Sequence, residues 1–545
     1  MPTFKLDGQE IPFEPGDTII RAAFRQGIEI PHYCWHPGLS IAANCRMCLV
    51  EIKSARPMLM PIVRWDDKQK KYVDATKPKL QPACQAMAAE GLEVFAKNEA
   101  AKAAQASTQE MLLLNHPVDC PICDQAGECR LQDYWQEHGA RGKRMLDEPV
   151  HKPKGVVFGE TIVYDAERCI MCTRCIRFMD EVAKDPVLDM RERGNRNEIV
   201  LSPGRELEGS YTLMTEHVCP VGALTSSDFR FKARVWFLRS QKSVCPGCAT
   251  GCSEHVDYDP RTNEVARLRP RENLAVNKYW MCDEGMLLYE AAKKDRLLRP
   301  RIKNDDASHA DAIAEAAKRL GKPGQGIAVV LSSQRNVEDN HVAVRLARDY
   351  LPGARTYWTG RPDGAADDIL LSADRNPNRA GIAHVLGSSG QARGAEMPPG
   401  FDELVEDINA GRVTALLSLG GETPLEGAVL SPFAKLDTLV VISPFTTGLT
   451  ERAHVALPCP VWYEEDGTFV QKGGLKQRYR KAFPPQGEVM PAWQILARLA
   501  GAMDLALAVG SLADIRREAK VTDADVAPLK DAPSQHMLPG TQVTT

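Results

Sequence analysis

The sequence predicts an α+β protein of several domains, with metal sites in its first half and an α/β domain in its second. At 545 residues the chain is too long for one hydrophobic core. Fifteen of its sixteen cysteines lie before residue 283, many in tight C-x2-C pairs, and such pairs are typical of metal binding. Beyond Arg301, helical stretches rich in Ala and Leu alternate with short apolar strands. That alternation favours a mostly parallel sheet.

Composition excludes several classes of protein. A net charge of -4 supplies no basic field for nucleic-acid binding. No apolar run approaches the roughly 18 residues needed to span a bilayer, and the N-terminus shows no targeting pattern. We therefore expect the chain to work in the compartment where it is made. A disulfide framework would suit a small secreted domain instead, so the cysteines indicate metal.

The elements can be read in chain order. The stretch TFKLDGQEIPFE predicts a β-hairpin turning at Asp7–Gly8, and Asp17 or Thr18 is expected to cap a helix that runs to Gln26. Residues 97–115 predict a second helix. Lys152–Gly155 is expected to join two metal-bearing regions. Strands are predicted at GIAVVLSS, VTALLSLGG and LDTLVVISP, and little order is expected after about Val521.

The first cysteine set has the spacing C-x10-C-x2-C-x35-C: Cys34, Cys45, Cys48 and Cys84. Three thiolates lie on one loop and the fourth comes from a later segment. This is a variant of the plant-type ferredoxin arrangement, in which a long loop wraps a [2Fe–2S] cluster. The alternative is structural zinc, which usually prefers two short-spaced pairs.

The second set has the spacing H-x3-C-x2-C-x5-C: His116, Cys120, Cys123 and Cys129. Taken alone, this set suits zinc as well as it suits a cluster, and a single His beside Pro117 is often an ordinary loop residue. The neighbouring sets favour a [4Fe–4S] cluster with one imidazole ligand. Exchanging a thiolate for a neutral imidazole removes one negative charge and changes the reduction potential.

The third set joins C-x2-C-x2-C to a distant C-P pair: Cys169, Cys172, Cys175 and Cys219. This is the bacterial ferredoxin layout for a [4Fe–4S] cluster. Met179 stands where a two-cluster ferredoxin would carry its next cysteine, so one cluster is predicted here.

The fourth set has the spacing C-x2-C-x3-C-x29-C and is again predicted to hold a [4Fe–4S] cluster rather than zinc: Cys245, Cys248, Cys252 and Cys282. Gly247 and Gly251 are expected to relieve crowding where the backbone wraps the metal. Cys459 has no cysteine near it in sequence and is predicted to be a buried packing residue.

Four sets in this order resemble the large iron–sulfur subunit of respiratory complex I, NADH:quinone oxidoreductase. The resemblance covers essentially the whole chain and is most specific over residues 30–285. The stretches that carry it are CRMCLVEI, NHPVDCPICDQAGEC, CIMCTRCIRFMDE and HVCPVGALTSSDFRFKAR. Beyond residue 300, HVALPCPVWYEEDGTFVQKGG resembles the molybdopterin oxidoreductases, with Asp466–Gly467 expected as its turn.

The resemblance implies a fold and a division of the chain. It implies a β-grasp [2Fe–2S] ferredoxin-like domain (1–96), a His/Cys3 [4Fe–4S] segment (97–150) and a ferredoxin-like [4Fe–4S] region (151–240). A molybdopterin-oxidoreductase-type [4Fe–4S] domain (241–298), a shortened α/β domain of the same type (299–520) and a flexible tail (521–545) would follow.

The resemblance also implies a role. A partner subunit would take hydride from NADH onto FMN, and the first three sets would relay single electrons toward a quinone-reducing subunit. The fourth set would lie off that path and would indicate a bacterial source. The implied partners are the FMN- and NADH-binding subunit, a thioredoxin-like [2Fe–2S] subunit, and quinone-module and 8Fe ferredoxin-like subunits. They would hold the chain on the cytoplasmic side of the inner membrane.

The sequence departs from a molybdenum enzyme in two ways. Its C-terminal part is short, and no Cys or Ser stands convincingly where molybdenum would be ligated. We therefore expect no molybdopterin and no independent catalytic site on this chain. The glycines of LSLGGETPLEG and LGSSGQARG match no complete phosphate-binding motif, so tight turns are expected there.

Three alternatives stay open at this point. A formate dehydrogenase or an iron-only hydrogenase would need a further catalytic module after residue 300. A zinc-binding interaction protein would be colourless. The diaphorase-linked subunit of an NAD-reducing hydrogenase would usually lack the C-terminal domain.

Overall fold

The computed structural model describes residues 1–53, 59–139, 142, 144–322, 324, 326–388, 397–421 and 427–527. Within it the chain forms two compact units, residues 1–237 and a second unit that begins at Leu238. No helix among these described residues is long and apolar enough to cross a membrane.

The first unit opens with a five-stranded sheet in the order β2-β1-β7-β3-β6. Its strands are β1 (Thr3–Leu6), β2 (Gln9–Pro12), β3 (Leu49–Lys53), β6 (Gln81–Pro82) and β7 (Glu93–Phe95). The predicted hairpin is confirmed, because β1 pairs antiparallel with β2 around Asp7 and Gly8. Helix α1 (Ile19–Arg25) begins after Thr18 and buries Ile19 and Ile20 in the core of this domain. The arrangement agrees with the expected β-grasp domain.

A separate hairpin extends between Cys48 and Cys84. It consists of β4 (Leu59–Asp66) and β5 (Lys71–Pro78), which pair only with each other. Trp65 and Tyr72 face each other across it with ring centroids 5.2 Å apart, and both remain exposed. The sequence analysis did not predict this hairpin.

Short elements complete the first unit. They are α2 (Glu99–Leu113), α3 (Arg130–Tyr134), β8 (Val156–Phe158), β9 (Ile162–Tyr164), α4 (Arg174–Glu181), β10 (Leu188–Arg191), β11 (Glu198–Leu201), α5 (Met214–Val218) and β12 (Leu224–Ser226). The helix expected over 97–115 is confirmed as α2, and the Asn98 side chain caps it by accepting the Ala101 N–H. Strands β12, β9 and β8 form one small sheet, and β10 and β11 form another.

The second unit begins with a three-stranded antiparallel sheet and one helix. These are β13 (Arg239–Val244), β14 (Ser253–Asp259), β15 (Glu264–Pro270) and α6 (Asp283–Ala292). A seven-stranded sheet follows in the order β17-β16-β22-β21-β20-β18-β19. Its strands are β16 (Arg301–Ile302), β17 (Asp305–Asp306), β18 (Ile327–Ser332), β19 (Arg355–Thr359), β20 (Ala415–Leu419), β21 (Thr438–Ser443) and β22 (Val455–Pro458).

The predicted parallel sheet is confirmed. Strands β18 to β22 pair in parallel, and both faces of the sheet are covered. Val329 and Leu331 of β18 pack into one hydrophobic cluster, whereas Ala328 and Val330 pack into another. Burial on both faces explains why these strands are continuous apolar runs in the sequence.

The remaining elements flank this sheet or follow it. They are α7 (His309–Leu320), α8 (Val337–Arg345), α9 (Arg379–Ser388), α10 (Phe401–Asn409), α11 (Gly448–Arg452), β23 (Gly467–Val470), β24 (Lys476–Tyr479), α12 (Ala492–Ala502) and α13 (Leu512–Glu518). The turn expected at Asp466–Gly467 is wrong, because Gly467 already begins β23. The chain reverses instead near Gly474, whose φ of +86° favours glycine.

Two expectations fall on residues that the structure does not describe. They concern residues 528–545 of the predicted flexible tail and most of the glycine-containing stretches at 389–394 and 422–426.

Candidate metal centres

The four thiols of the first set lie in two hydrogen-bonded pairs. Cys34 follows α1, Cys45 and Cys48 lie on the loop that leads into β3, and Cys84 follows β6. Hydrogen bonding between the Cys34 and Cys45 thiols lowers the pKa of Cys34 to about 5 and raises that of Cys45. A hydrogen bond to Cys84 likewise raises the pKa of Cys48. Two pairs of thiols fit a [2Fe–2S] cluster, in which each iron takes two protein ligands.

The loop of the first set uses left-handed backbone at residues other than glycine. Ala43 has φ +51° and Arg46 has φ +61°, values that are uncommon for residues with a Cβ atom. The third set shows the same feature at Met171 and Thr173, and the Met171 N–H donates to the Cys169 sulfur at 3.4 Å. No residue type in the sequence signals these conformations.

The second set surrounds a cavity of about 650 Å³. His116, Cys120, Cys123 and Cys129 all line it. Burial lowers the pKa of His116 to about 4, so the imidazole is neutral at pH 7, as a metal ligand must be. Its Nδ1 atom is buried and has no hydrogen-bond partner among the described residues. A ring nitrogen in that state fits a metal ligand set.

An arginine missed by the sequence analysis supports the loop of the second set. The Arg234 guanidinium donates to the Cys123 carbonyl at 3.0 Å and to the Cys120 carbonyl at 2.9 Å. This residue lies in the stretch HVCPVGALTSSDFRFKAR, but its position gives no sign of a contact with residues more than 100 places earlier. It fixes the backbone that presents both thiols.

The third set lines one small buried cavity. Cys169 and Cys172 lie on the loop after β9, Cys175 lies in α4 and Cys219 follows α5. Burial raises the pKa of Cys169, Cys172 and Cys219 to about 11. Without metal these thiols are therefore protonated at pH 7, and binding of iron releases their protons.

The fourth set lies in the second unit, between the first antiparallel sheet and α6. Its four cysteines line one cavity. Cys282 caps the N-terminus of α6 and accepts the Gly285 N–H at 3.4 Å. Gly285, which the sequence analysis missed, leaves room for the sulfurs, because a Cβ built there would lie 3.2 Å from the Cys245 Sγ.

The glycines expected to crowd the fourth set behave differently from each other. A Cβ on Gly247 would lie 3.3 Å from the Cys245 Sγ, so this expectation is confirmed. Gly251 instead has φ +60° and faces Gln477 and Gln471. It is required for its backbone conformation and not for space around the sulfurs.

Among the described residues, no three or more His, Cys, Asp or Glu side chains are placed to hold a single metal ion. A cluster makes a different demand, since its thiolates bind separate iron atoms. The four ligand sets fit that demand by their chemistry and grouping, and their assignment to clusters stays a prediction. Cys459 is fully buried in the core of the α/β domain, as predicted.

The third set adjoins the first through their loops. The Asn44 side chain donates to the Met171 carbonyl at 3.1 Å. The buried Arg174 donates to the Trp35 carbonyl at 2.5 Å and to the Val218 carbonyl at 3.4 Å. These partners are direct sequence neighbours of ligand-set cysteines or lie between them, so the two loops are fixed relative to each other.

The third set also adjoins the second. The Arg130 N–H donates to the Pro220 carbonyl at 3.2 Å, which joins the residues that follow Cys129 and Cys219. Arg168 forms an ion pair of 3.0 Å with Asp119, joining the residues next to Cys169 and Cys120. The three sets of the first unit are therefore one connected structure, which their separation along the sequence does not indicate.

Comparison with protein-family models agrees with this division. Residues 1–99 match a 2Fe-2S iron-sulfur cluster binding domain. Residues 105–144 match the NADH-ubiquinone oxidoreductase-G iron-sulfur binding region, and residues 159–225 match the ferredoxin-like domain of NADH-quinone oxidoreductase subunit 3. The second unit matches the molybdopterin oxidoreductase Fe4S4 domain at 238–294 and molybdopterin oxidoreductase at 305–502. Fold and matches together define an iron–sulfur protein with ferredoxin-like and molybdopterin-oxidoreductase-like parts.

The chain is a homologue of the large iron–sulfur subunit of NADH-quinone oxidoreductase, the G subunit of the bacterial enzyme. It is 30% identical to that subunit of Streptomyces coelicolor over 93% of this chain and 58% of the relative. It is 33% identical to that of Mycobacterium bovis over 68% of this chain and 45% of the relative. The chain thus spans about half the length of the curated relatives it matches. A solved NAD+-reducing [NiFe]-hydrogenase shares 27% identity and covers 43% of this chain and 91% of its own, at a TM-score of 0.35.

Proposed function

We propose that this chain is an electron-relay subunit of a proton-pumping NADH:quinone oxidoreductase, holding one [2Fe–2S] and three [4Fe–4S] clusters. The observation that carries the proposal is the grouping of three ligand sets in one compact unit of 237 residues. The backbone next to the third set is hydrogen-bonded to that of both others. Electron transfer between centres requires this kind of fixed, close arrangement.

The relatives support the direction of transfer. Electrons would enter from a partner that carries FMN and binds NADH, and would leave toward the quinone-reducing subunit. A thioredoxin-like [2Fe–2S] subunit and the quinone-module and 8Fe ferredoxin-like subunits would complete the assembly. The chain would be held on the cytoplasmic side of the membrane by these partners alone.

The protein's own contribution is placement and tuning, with no acid, base or nucleophile required. When bound, such clusters accept and release one electron at a time. The chain's residues present the thiols, exclude water and place charges and N–H groups near the sulfurs. The buried cysteines and the neutral His116 fit that task.

The fourth set is proposed to lie off the main path. It belongs to the second unit together with the molybdopterin-oxidoreductase-like domain. We propose that this domain binds no molybdopterin and serves as a scaffold, because its sequence offers no convincing molybdenum ligand.

Iron and acid-labile sulfide analysis of the purified full chain, with low-temperature EPR after reduction, tests the proposal. Four filled sets correspond to about 14 iron atoms. A value near ten means that one set is empty or holds zinc, and the EPR spectrum identifies which cluster type is missing. A colourless chain that contains only zinc overturns the proposal.

A further inference from the structure

One arginine side chain contacts the ligand loops of two different cysteine sets. Arg177 lies in α4, directly after the third set. Its guanidinium donates to the Cys34 carbonyl at 2.5 Å and to the Cys172 carbonyl at 3.3 Å. Cys34 belongs to the first set and Cys172 to the third. A third carbonyl, that of Ser40, also accepts from this guanidinium.

Neighbouring contacts hold the guanidinium in this place. The Arg177 Nε donates to the Thr173 hydroxyl at 3.3 Å. One turn further along α4, the Glu181 carboxylate accepts the Ser40 N–H at 2.8 Å. The side chain is half-buried, so its charge is only partly screened by water. It is therefore a fixed positive charge shared by two sets.

Carbonyl acceptors alone do not require a full positive charge. Among the contacts of the described residues, Arg177 forms no ion pair with a carboxylate within 4.0 Å, although Glu181 lies on the same helix. Its charge is consistent with compensation by nearby thiolates, since it acts to lower the pKa of both Cys34 and Cys172. Iron–sulfur clusters with four thiolates carry net negative charge and become more negative on reduction.

We propose that Arg177 is a positioning residue that fixes the loops of the first and third sets to each other and raises the reduction potentials of both clusters together. The inference rests on the proposed function, because it requires clusters at both sets. A positive charge stabilises the reduced state of each centre. Its loss would therefore disfavour reduction at two sites through one substitution.

The test is potentiometric EPR titration of the full chain as wild type, Arg177→Gln and Arg177→Lys. In Arg177→Gln we expect the reduced-to-oxidised ratio of both clusters at a fixed potential to fall roughly tenfold, with the second cluster less affected. Arg177→Lys keeps the charge and should stay close to wild type. Arg205→Gln is the matched control, since Arg205 pairs with Asp185 in the same unit and its side chain is 48% exposed.

Iron and sulfide content are measured on every variant. If Arg177→Gln retains its iron and neither potential, or only one, falls, the proposal is overturned. An equal fall in Arg205→Gln also overturns it, because the effect would then not belong to the shared position. If wild type lacks clusters at the first and third sets, the proposed function itself fails, and the metal analysis distinguishes that result. If Arg177→Gln loses iron, Arg177→Lys decides: a fall of both potentials in it contradicts the role of charge.

Discussion

Gly222 lies directly against the sulfur of Cys123: a Cβ atom added to this glycine would come within 2.2 Å of the Cys123 Sγ. Gly222 follows Cys219 in the third set, whereas Cys123 belongs to the second. The absence of a side chain at one set is therefore a condition for the geometry of the other.

Substituting Gly222→Ala should accordingly disturb the second set and spare the third. The added methyl group must displace the Cys123 side chain, and Gln125 leaves no space behind it at 3.0 Å. We expect loss of about four iron atoms and of the EPR signal of the second cluster. Gly501→Ala, where nothing lies within 4 Å, is the control. Unchanged iron content and spectra in Gly222→Ala would contradict the expectation.

Removing ligands from different sets should separate the electron path from the cluster beside it. Cys219→Ala removes a ligand of the third set, which adjoins both other sets of its unit. In the assembled complex we expect NADH-driven quinone reduction to fall to background. Cys248→Ala should remove about four iron atoms as well but leave most of the turnover and mainly lower stability. Normal turnover in a stably assembled Cys219→Ala complex would rule out this path.

Exchanging the histidine of the second set for a cysteine should lower the potential of its cluster. His116→Cys puts a thiolate where a neutral imidazole is expected, which adds one negative charge and disfavours reduction. We expect retained iron and a lower midpoint potential in an EPR titration of this cluster alone. His138→Cys, in the same segment, is the control for an added thiol. An unchanged potential in His116→Cys would show that His116 is not a ligand.

The second unit contains a buried ion cluster next to its metal set. Asp257 on β14 accepts hydrogen bonds from Arg267 at 2.9 Å and from Arg269 at 2.6 Å, and all three residues are buried. Burial alone would raise the pKa of Asp257, but the charges of Arg269 and Arg267 outweigh it and lower the pKa.

Substituting Asp257→Asn should destabilise this unit by about 3–5 kcal/mol, because two buried arginines lose their counter-charge. Chemical denaturation at pH 7 measures the loss. Since the folded-state pKa is depressed, the stabilisation is complete above about pH 4 and is lost as pH falls through the lower folded value. Asp259→Asn, which affects an exposed pair with Arg261, should cost less than about 1 kcal/mol. Equal effects of the two substitutions would contradict this account.

Local patterns were sufficient to predict much of the fold. The Asp7–Gly8 turn, helix α2 and the strands around Val329, Leu417 and Val440 follow from turn residues and apolar runs. The four ligand sets follow from spacing, because thiolates that share a metal often lie within a few residues. The separate hairpin β4–β5 escaped prediction, because its strands bury no continuous apolar face.

Contacts between the sets could not be predicted in this way. Arg177, Arg174 and Arg234 donate to carbonyl oxygens, and every residue has a carbonyl, so the acceptor leaves no trace in the sequence. Gly222 resembles any other loop glycine until the Cys123 sulfur is placed opposite it. Such contacts depend on the packing of segments that are distant along the chain.

The cavity of the second set has a consequence for biosynthesis. Its walls include Arg168 and Gly222, which are translated well after the last cysteine of that set. A nascent chain that has emerged only as far as Cys129 thus presents its ligands without the surfaces that enclose them. Iron delivered to this set during translation would meet an open, solvent-accessible loop. Maturation of the second centre is therefore expected to wait until the ribosome has completed the third.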